Sequence, residues 1–111
     1  MFIDNTAPLG VTWAYGNAGS VTTVFTAASN TNGIIIRTLV LAPGALAVSD
    51  TSAPSGYNDS SKRPIFYTDE NISAVVIFPY PLLIASGNGL WVCAQSGASP
   101  GYIATWDAVS T

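Results

Sequence analysis

Histidine is absent from the chain, and charge is scarce: of 111 residues, three are basic and six acidic. The missing histidine removes the commonest general base, metal ligand and triad member. Serine-type and cysteine-type hydrolysis in their usual forms are therefore excluded. Catalysis would have to run on carboxylates, and Asp4, Asp50, Asp59, Asp69, Glu70 and Asp107 are the whole supply. A glycosidase pair must converge across a cleft that so short a chain can barely build, so an enzyme is not expected. The only cations are Arg37, Lys62 and Arg63. They are too few to neutralise a phosphate track or to dock on an anionic membrane, and no direct nucleic-acid or membrane partner is expected.

Cysteine is nearly missing too. Cys93 stands alone, so no internal disulfide can form. Its setting, Leu90-Trp91-Val92-Cys93-Ala94, is that of a buried inert thiol, with no histidine to activate it. No stretch approaches the ~18 apolar residues of a membrane span, and Met1 to Gly10 carries neither a basic residue nor an apolar core of the kind a secretory leader needs. A soluble, uncleaved product of the cytoplasm is the expectation. Oxygen ligands in Asn58-Asp59-Ser60 and Asp69-Glu70-Asn71 do not follow the spacing that gathers a calcium shell, so no cofactor or metal ion is expected.

What the chain does have is apolar surface. Hydrophobic residues make up 49% and charged residues 8%, whereas a self-sufficient soluble domain usually has about a quarter of its residues charged. Much of the outside is therefore expected to face other protein, and the chain reads first as an assembly component. Its twelve serines, eleven threonines and seven asparagines are spread among ten glycines and seven prolines. No window keeps apolar residues at helical spacing over three turns without interruption. The predicted class is all-β, an antiparallel sandwich, jelly-roll-like or alternatively immunoglobulin-like, because short strands with frequent turns fit both. Residues 1–10 read as an N-terminal arm and 11–111 as one sandwich domain.

Nine strands are predicted: Val11 to Tyr15, Ser20 to Ala28, Gly33 to Ala42, Ala45 to Val48, Pro64 to Thr68, Ala74 to Phe78, Leu82 to Ser86, Leu90 to Gln95 and Tyr102 to Val109. The third is apolar on both faces. Strict alternation puts Ile34, Ile36, Thr38 and Val40 on one side and Ile35, Arg37, Leu39 and Leu41 on the other. Such a strand is either central or covered by a second subunit. Gly87-Asn88-Gly89 reads as a hairpin turn between the seventh and eighth strands. Asp50 to Lys62 has one aromatic and no periodicity, and reads as a long exposed loop. It is either a contact with something outside the fold or a solvated connection. The three tryptophans are expected in the core or an interface, with exposed aromatics stacking on sugar rings as the alternative.

The run Pro79-Tyr80-Pro81-Leu82-Leu83-Ile84-Ala85-Ser86-Gly87-Asn88-Gly89-Leu90-Trp91-Val92, followed by Tyr102-Ile103-Ala104-Thr105-Trp106-Asp107, resembles the closing hairpin and last strand of small β-sandwich virion proteins of tailed bacteriophages. These are head decoration (cement) proteins and head-fibre or tail modules. The resemblance covers about the last thirty residues well and Gly33 to Gly44 loosely. It implies a structural protein of the virion, often trimeric, that binds and stabilises the outer surface of a phage head. Its partners would be copies of itself and a major capsid or other virion protein. A receptor- or carbohydrate-binding module of a fibre or tail is the alternative. On this reading the subunit or shell interface would take Phe2 and Ile3 from the arm, Ile35, Leu39 and Leu41 or the opposite face of that strand, Tyr57 from the loop, and Trp91 in the core or at its rim. Replacing Leu39 by Asp would then leave the chain monomeric or insoluble.

Overall fold

In the computed structural model the described residues are 10–69, 71, 76–77 and 81–109. They form strands β1 (Thr12–Asn17), β2 (Thr22–Phe25), β3 (Ile34–Leu41), β4 (Ala45–Val48), β5 (Pro64–Tyr67), β6 (Val76–Ile77), β7 (Leu82–Ile84), β8 (Leu90–Ala94) and β9 (Gly101–Ala108). There is no helix among the described residues, as the lack of helical periodicity requires. Each strand falls within or close to a predicted segment. β2 is the most shortened, because Thr26 ends it. Its hydroxyl accepts from the amide of Ser29 at 3.2 Å and its carbonyl from the Ser29 hydroxyl at 2.8 Å. Such local side-chain bonds offer the backbone an alternative to the ladder.

The strands build two antiparallel sheets. The first has the order β1-β9-β3-β6, with β7 also on β3, and the second β2-β8-β4-β5. β6 pairs with Val40 and Leu41, and β7 with Ile34 to Ile36, so both lie on the same flank of β3 and count as one rib. Counted that way, every connection crosses from one sheet to the other except β4 to β5. This is the strand order of a jelly roll. In an immunoglobulin sandwich the last two strands lie side by side in one sheet, whereas here β8 and β9 lie in opposite sheets.

That order corrects the reading of Gly87-Asn88-Gly89. The turn is not a hairpin, because β7 belongs to the first sheet and β8 to the second. It is a corner that carries the chain across the sandwich. Gly87 supplies the positive φ, 83°, at no steric cost. Gly89 is needed for space: a Cβ there would lie 2.7 Å from the Ala27 nitrogen and 2.7 Å from the Trp91 ring. The corner is held from across the fold by Asn30, which is 2% exposed. Its Nδ2 donates to the carbonyls of Ile84, Ala85 and Asn88 at 3.3, 2.8 and 2.9 Å, and its Oδ1 accepts from the Gly33 amide at 2.8 Å.

Ile34, Ile36, Leu39, Leu41, Leu90, Val92, Ala104 and Trp106 lie in the core between the sheets. Phe25 of one sheet meets Trp106 of the other with ring centroids 5.3 Å apart. The composition of this core corrects the face assignment of β3. The pairing to β9 shifts register between Ile36 and Thr38, a β-bulge that places Arg37 as an extra residue and reverses the alternation beyond it. Ile34 and Ile36 therefore share the inner side with Leu39 and Leu41, which are 1% and 0% exposed. Neither leucine is on the surface for a sister subunit.

Candidate interaction face

The two sheets differ in what lies on their outer sides. On β8, Leu90 and Val92 point into the core, so alternation turns Trp91 and Cys93 to the outside of the second sheet, beside Leu46 and Val48 of β4. An outward side chain in a two-layer sandwich should be wet, yet Trp91, Cys93 and Val48 are at most 5% exposed. The segment 50–62 folds against this side: Asp59 is near enough to Cys93 to act on its thiol, and Tyr57 to Ser60 border a depression with Leu46. Its Pro54 is buried, and Gly56, Tyr57, Asp59 and Lys62 are half-buried, so the segment expected as an exposed loop is a folded lid on this sheet.

Carboxylates hold the lid in shape. Asp59 accepts from the amides of Ser55 and Ser61 at 2.9 and 3.0 Å. The Ser61 hydroxyl, followed by these amides, lowers the Asp59 carboxyl to about 2. Asp50 clamps the neck, accepting from the amides of Thr51 and Arg63 at 2.7 and 3.1 Å. Those two bonds also hold its carboxyl below the ordinary value. Under the lid, loss of hydration and then the Asp59 charge push the Cys93 thiol up to about 11. The thiol is thus kept protonated and unreactive at neutral pH.

The first sheet has no such cover among the described residues. Its outer side takes Trp13 and Tyr15 from β1, Ile103, Thr105 and Asp107 from β9, Ile35, Arg37, Thr38 and Val40 from β3 and Leu83 from β7, as the registers and the burial alternation require. Val11, next to β1, lies at the same edge. Six large apolar side chains are exposed among the described residues, and five of them, Val11, Trp13, Tyr15, Leu83 and Ile103, belong to this side. Exposures run from 48% for Ile103 to 77% for Val11. Tyr15, Ile103 and Val40 lie opposite one another across three ribs and border a shallow depression of about 370 Å³.

Among the described residues, charge on this side is confined to one pair. Arg37 Nε donates to Asp107 Oδ2 at 3.0 Å, and the other carboxylate oxygen accepts from the Val11 amide at 2.8 Å. These bonds, the backbone one first, hold the Asp107 carboxyl below its usual range. The bulge that makes Arg37 an extra residue also brings it to this carboxylate. At Gly10 the incoming chain crosses so close to β9 that a Cβ would lie 2.1 Å from the Trp106 nitrogen.

Of the residues expected at an interface, Ile35 lies on this outer side, half-buried between Leu83 and Asp107. Tyr57 is half-buried in the lid, where it and exposed Tyr67 line a second depression with Asn58, Ser60 and Lys62. Leu39 and Leu41 lie in the core, and Trp91 is turned to the outer side of the second sheet yet only 5% exposed. Phe2 and Ile3, like the rest of the expected arm except Gly10, lie outside the described residues. Of the five exposed apolar residues on the outer side of the first sheet, Trp13 was expected from the sequence in the core or an interface, while Val11, Tyr15, Leu83 and Ile103 were not singled out. The alternation Tyr102, Ile103, Ala104, Thr105, Trp106, Asp107 carried a signal for Ile103, since its small and aromatic members mark the inner side.

The described carboxylates serve the backbone: Asp50, Asp59, Asp69 and Asp107 each accept from at least one main-chain amide. No three metal-ligating side chains come together among the described residues. No protein-family model matches the chain, and no curated protein or solved structure is significantly similar to it.

Proposed function

We propose that this chain is a structural virion protein, a decoration or cement subunit that binds the outside of a phage head and stabilises it by burying apolar surface across subunit boundaries. The observation that carries the reading is the one-sided placement of Val11, Trp13, Tyr15, Leu83 and Ile103 on the first sheet, whose outer side no described residue covers. A stable protein interface takes about 800 Å² from each partner. A body whose longer extents are 46 and 31 Å offers that area on one sheet face. Burying such side chains contributes ~25 cal/mol per Å² removed from water, and this mode of action needs neither a catalytic set nor a cofactor.

The test is co-sedimentation of the purified chain with empty phage head shells. Leu83→Asp places a charge on the face, far from the β1 edge, and is expected to abolish sedimentation while leaving the fold intact. Wild-type chain that stays in the supernatant with every shell tried, or a Leu83→Asp variant that still sediments, would refute the reading.

A receptor- or carbohydrate-binding module is the second reading, favoured by the depression that Tyr57 and Tyr67 line beside Asn58, Ser60 and Lys62. An aromatic ring with neighbouring amide and hydroxyl groups suits a sugar's apolar face and its hydroxyls. Glycan-array binding that is lost in Tyr67→Ala would support it, and a blank array would count against it.

A further inference from the structure

Sheet edges are where a β protein risks pairing with another chain, and natural sequences blunt them with proline, charge, bulges or short length. Three of the four edges here are blunted. β5 begins at Pro64 directly after Arg63. β2 has four residues and a register shift. The β6–β7 rib has Pro81 directly ahead of β7. β1 is different. Its six residues, Thr12-Trp13-Ala14-Tyr15-Gly16-Asn17, contain no charge and no proline, and all but Ala14 are exposed. It pairs with β9 through six consecutive residues without a shift, and among the described residues nothing pairs with its other side.

The phase of that free side can be read from the β1–β9 register. Ala18, continuing it, donates to the Pro100 carbonyl at 2.8 Å. Antiparallel ladders alternate hydrogen-bonded and non-hydrogen-bonded pairs, so Thr12, Ala14 and Gly16 face β9 with their amides and carbonyls. Trp13, Tyr15 and Asn17 therefore turn theirs outward.

We propose that β1 pairs antiparallel with β1 of a second copy of this chain, with Ala14 at the two-fold axis. In that register Trp13 of each copy hydrogen-bonds through its backbone to Tyr15 of the other, which the outward phase of both residues allows. Two Trp–Tyr cross-strand pairs form on the outer face, the kind of aromatic contact that stabilises a strand pair beyond its buried area. The second copy is the fitting occupant because the edge is self-complementary and uncharged. The charges on this side among the described residues, Arg37 and Asp107, neutralise each other at 3.0 Å, so these residues bring no like-charge repulsion when two identical edges meet. The product is one continuous sheet of eight ribs whose apolar outer side is twice as wide. The pairing deepens the assembly reading and rests on it for its purpose, not for its geometry.

The test is the native mass of the full chain by light scattering over a concentration series, with circular dichroism to confirm folding. Wild type is expected to be a dimer. The double variant Trp13→Lys and Tyr15→Lys sets like charges opposite each other, and its dissociation constant is expected to rise at least about tenfold. Trp13→Lys with Tyr15→Glu sets opposite charges face to face in this register and is expected to restore the dimer. Ala14→Cys is expected to give an oxidised dimer cross-linked across the axis. A wild-type monomer, a wild-type trimer, or a dimer indifferent to the two lysines would overturn the proposal. Shell sedimentation that depends on Leu83 but proceeds with a monomer would sink the pairing alone, and a dimer that ignores every shell would sink only the decoration reading.

Discussion

Asn30 is the side chain on which the crossing between the two sheets most depends, and its removal should cost far more than an average polar substitution. Its amide satisfies three carbonyls and one backbone amide from inside the fold. The orientation of the amide follows from chemistry, since carbonyls can only accept. In Asn30→Ala the Gly33 amide loses its partner in a buried setting and the Asn88 carbonyl loses its own in a half-buried one, while the Ile84 carbonyl still faces Ile34 in the β3–β7 ladder. The Ala85 carbonyl keeps the Asn88 side chain at 3.2 Å. A buried group left without its bond costs about 1–3 kcal/mol, so the loss should be about 2–4 kcal/mol. For a domain of this size that lowers Tm by roughly 10–25 °C, read by circular dichroism or tryptophan fluorescence. Asn30→Asp sharpens the test. The introduced carboxyl still accepts from the Gly33 amide, but when ionised it faces three carbonyl oxygens. Its folded pKa is therefore raised above the ordinary ~3.9. A raised folded pKa means the deficit against wild type is small below pH ~4, where the protonated acid can donate. The deficit grows as the pH rises through the folded pKa. A loss under about 1 kcal/mol in Asn30→Ala, or a pH-independent deficit in Asn30→Asp, would refute the role assigned to this residue.

The bulge in β3 separates residues of similar chemistry into core and surface. Leu41→Ala should cost about 2–5 kcal/mol, while Ile103→Ala, on the opposite side of the same sheet, should stay within about 0.5 kcal/mol. By the same logic Leu39→Asp should fail to fold rather than yield a folded monomer, and a soluble, cooperatively melting Leu39→Asp protein would show the face assignment to be wrong. The lid should respond to acid. The Asp59 carboxyl is lowered in the fold to about 2, so its contribution is complete above the unfolded value of ~3.9 and is lost as the pH falls toward 2. With it goes the protection of Cys93. Alkylation of Cys93 in the folded chain should be very slow at neutral pH and markedly faster in Asp59→Ala; equal rates in the two proteins would mean that the lid does not guard the thiol.

The nine described strands, and the lack of helix among the described residues, were legible in the sequence because both are local properties. Period-two patterning, β-branched residues and turn clusters act within a few residues, and the segment Ala45 to Val48 emerges with its predicted ends unchanged. The buried inert thiol at Cys93 was legible for the same reason, from an apolar run with no activating partner. The face of Leu39 and Leu41 was not, because one bulged residue reverses every side chain after it and nothing local in Ile36-Arg37-Thr38 announces the extra residue. Nor did Gly87-Asn88-Gly89 disclose whether it joins partners in one sheet or carries the chain to the other. That depends on Asn30, more than fifty residues away, and on which strands β7 and β8 find. The candidate face was hidden for a related reason. Trp91 and Trp13 sit in similar apolar alternations, but Trp91 is 5% exposed and Trp13 66%. The sequence by itself determined the elements and the scarcity of chemistry. Tertiary structure decided which apolar residues stay outside, because exposure is a property of what packs against a strand and not of the strand.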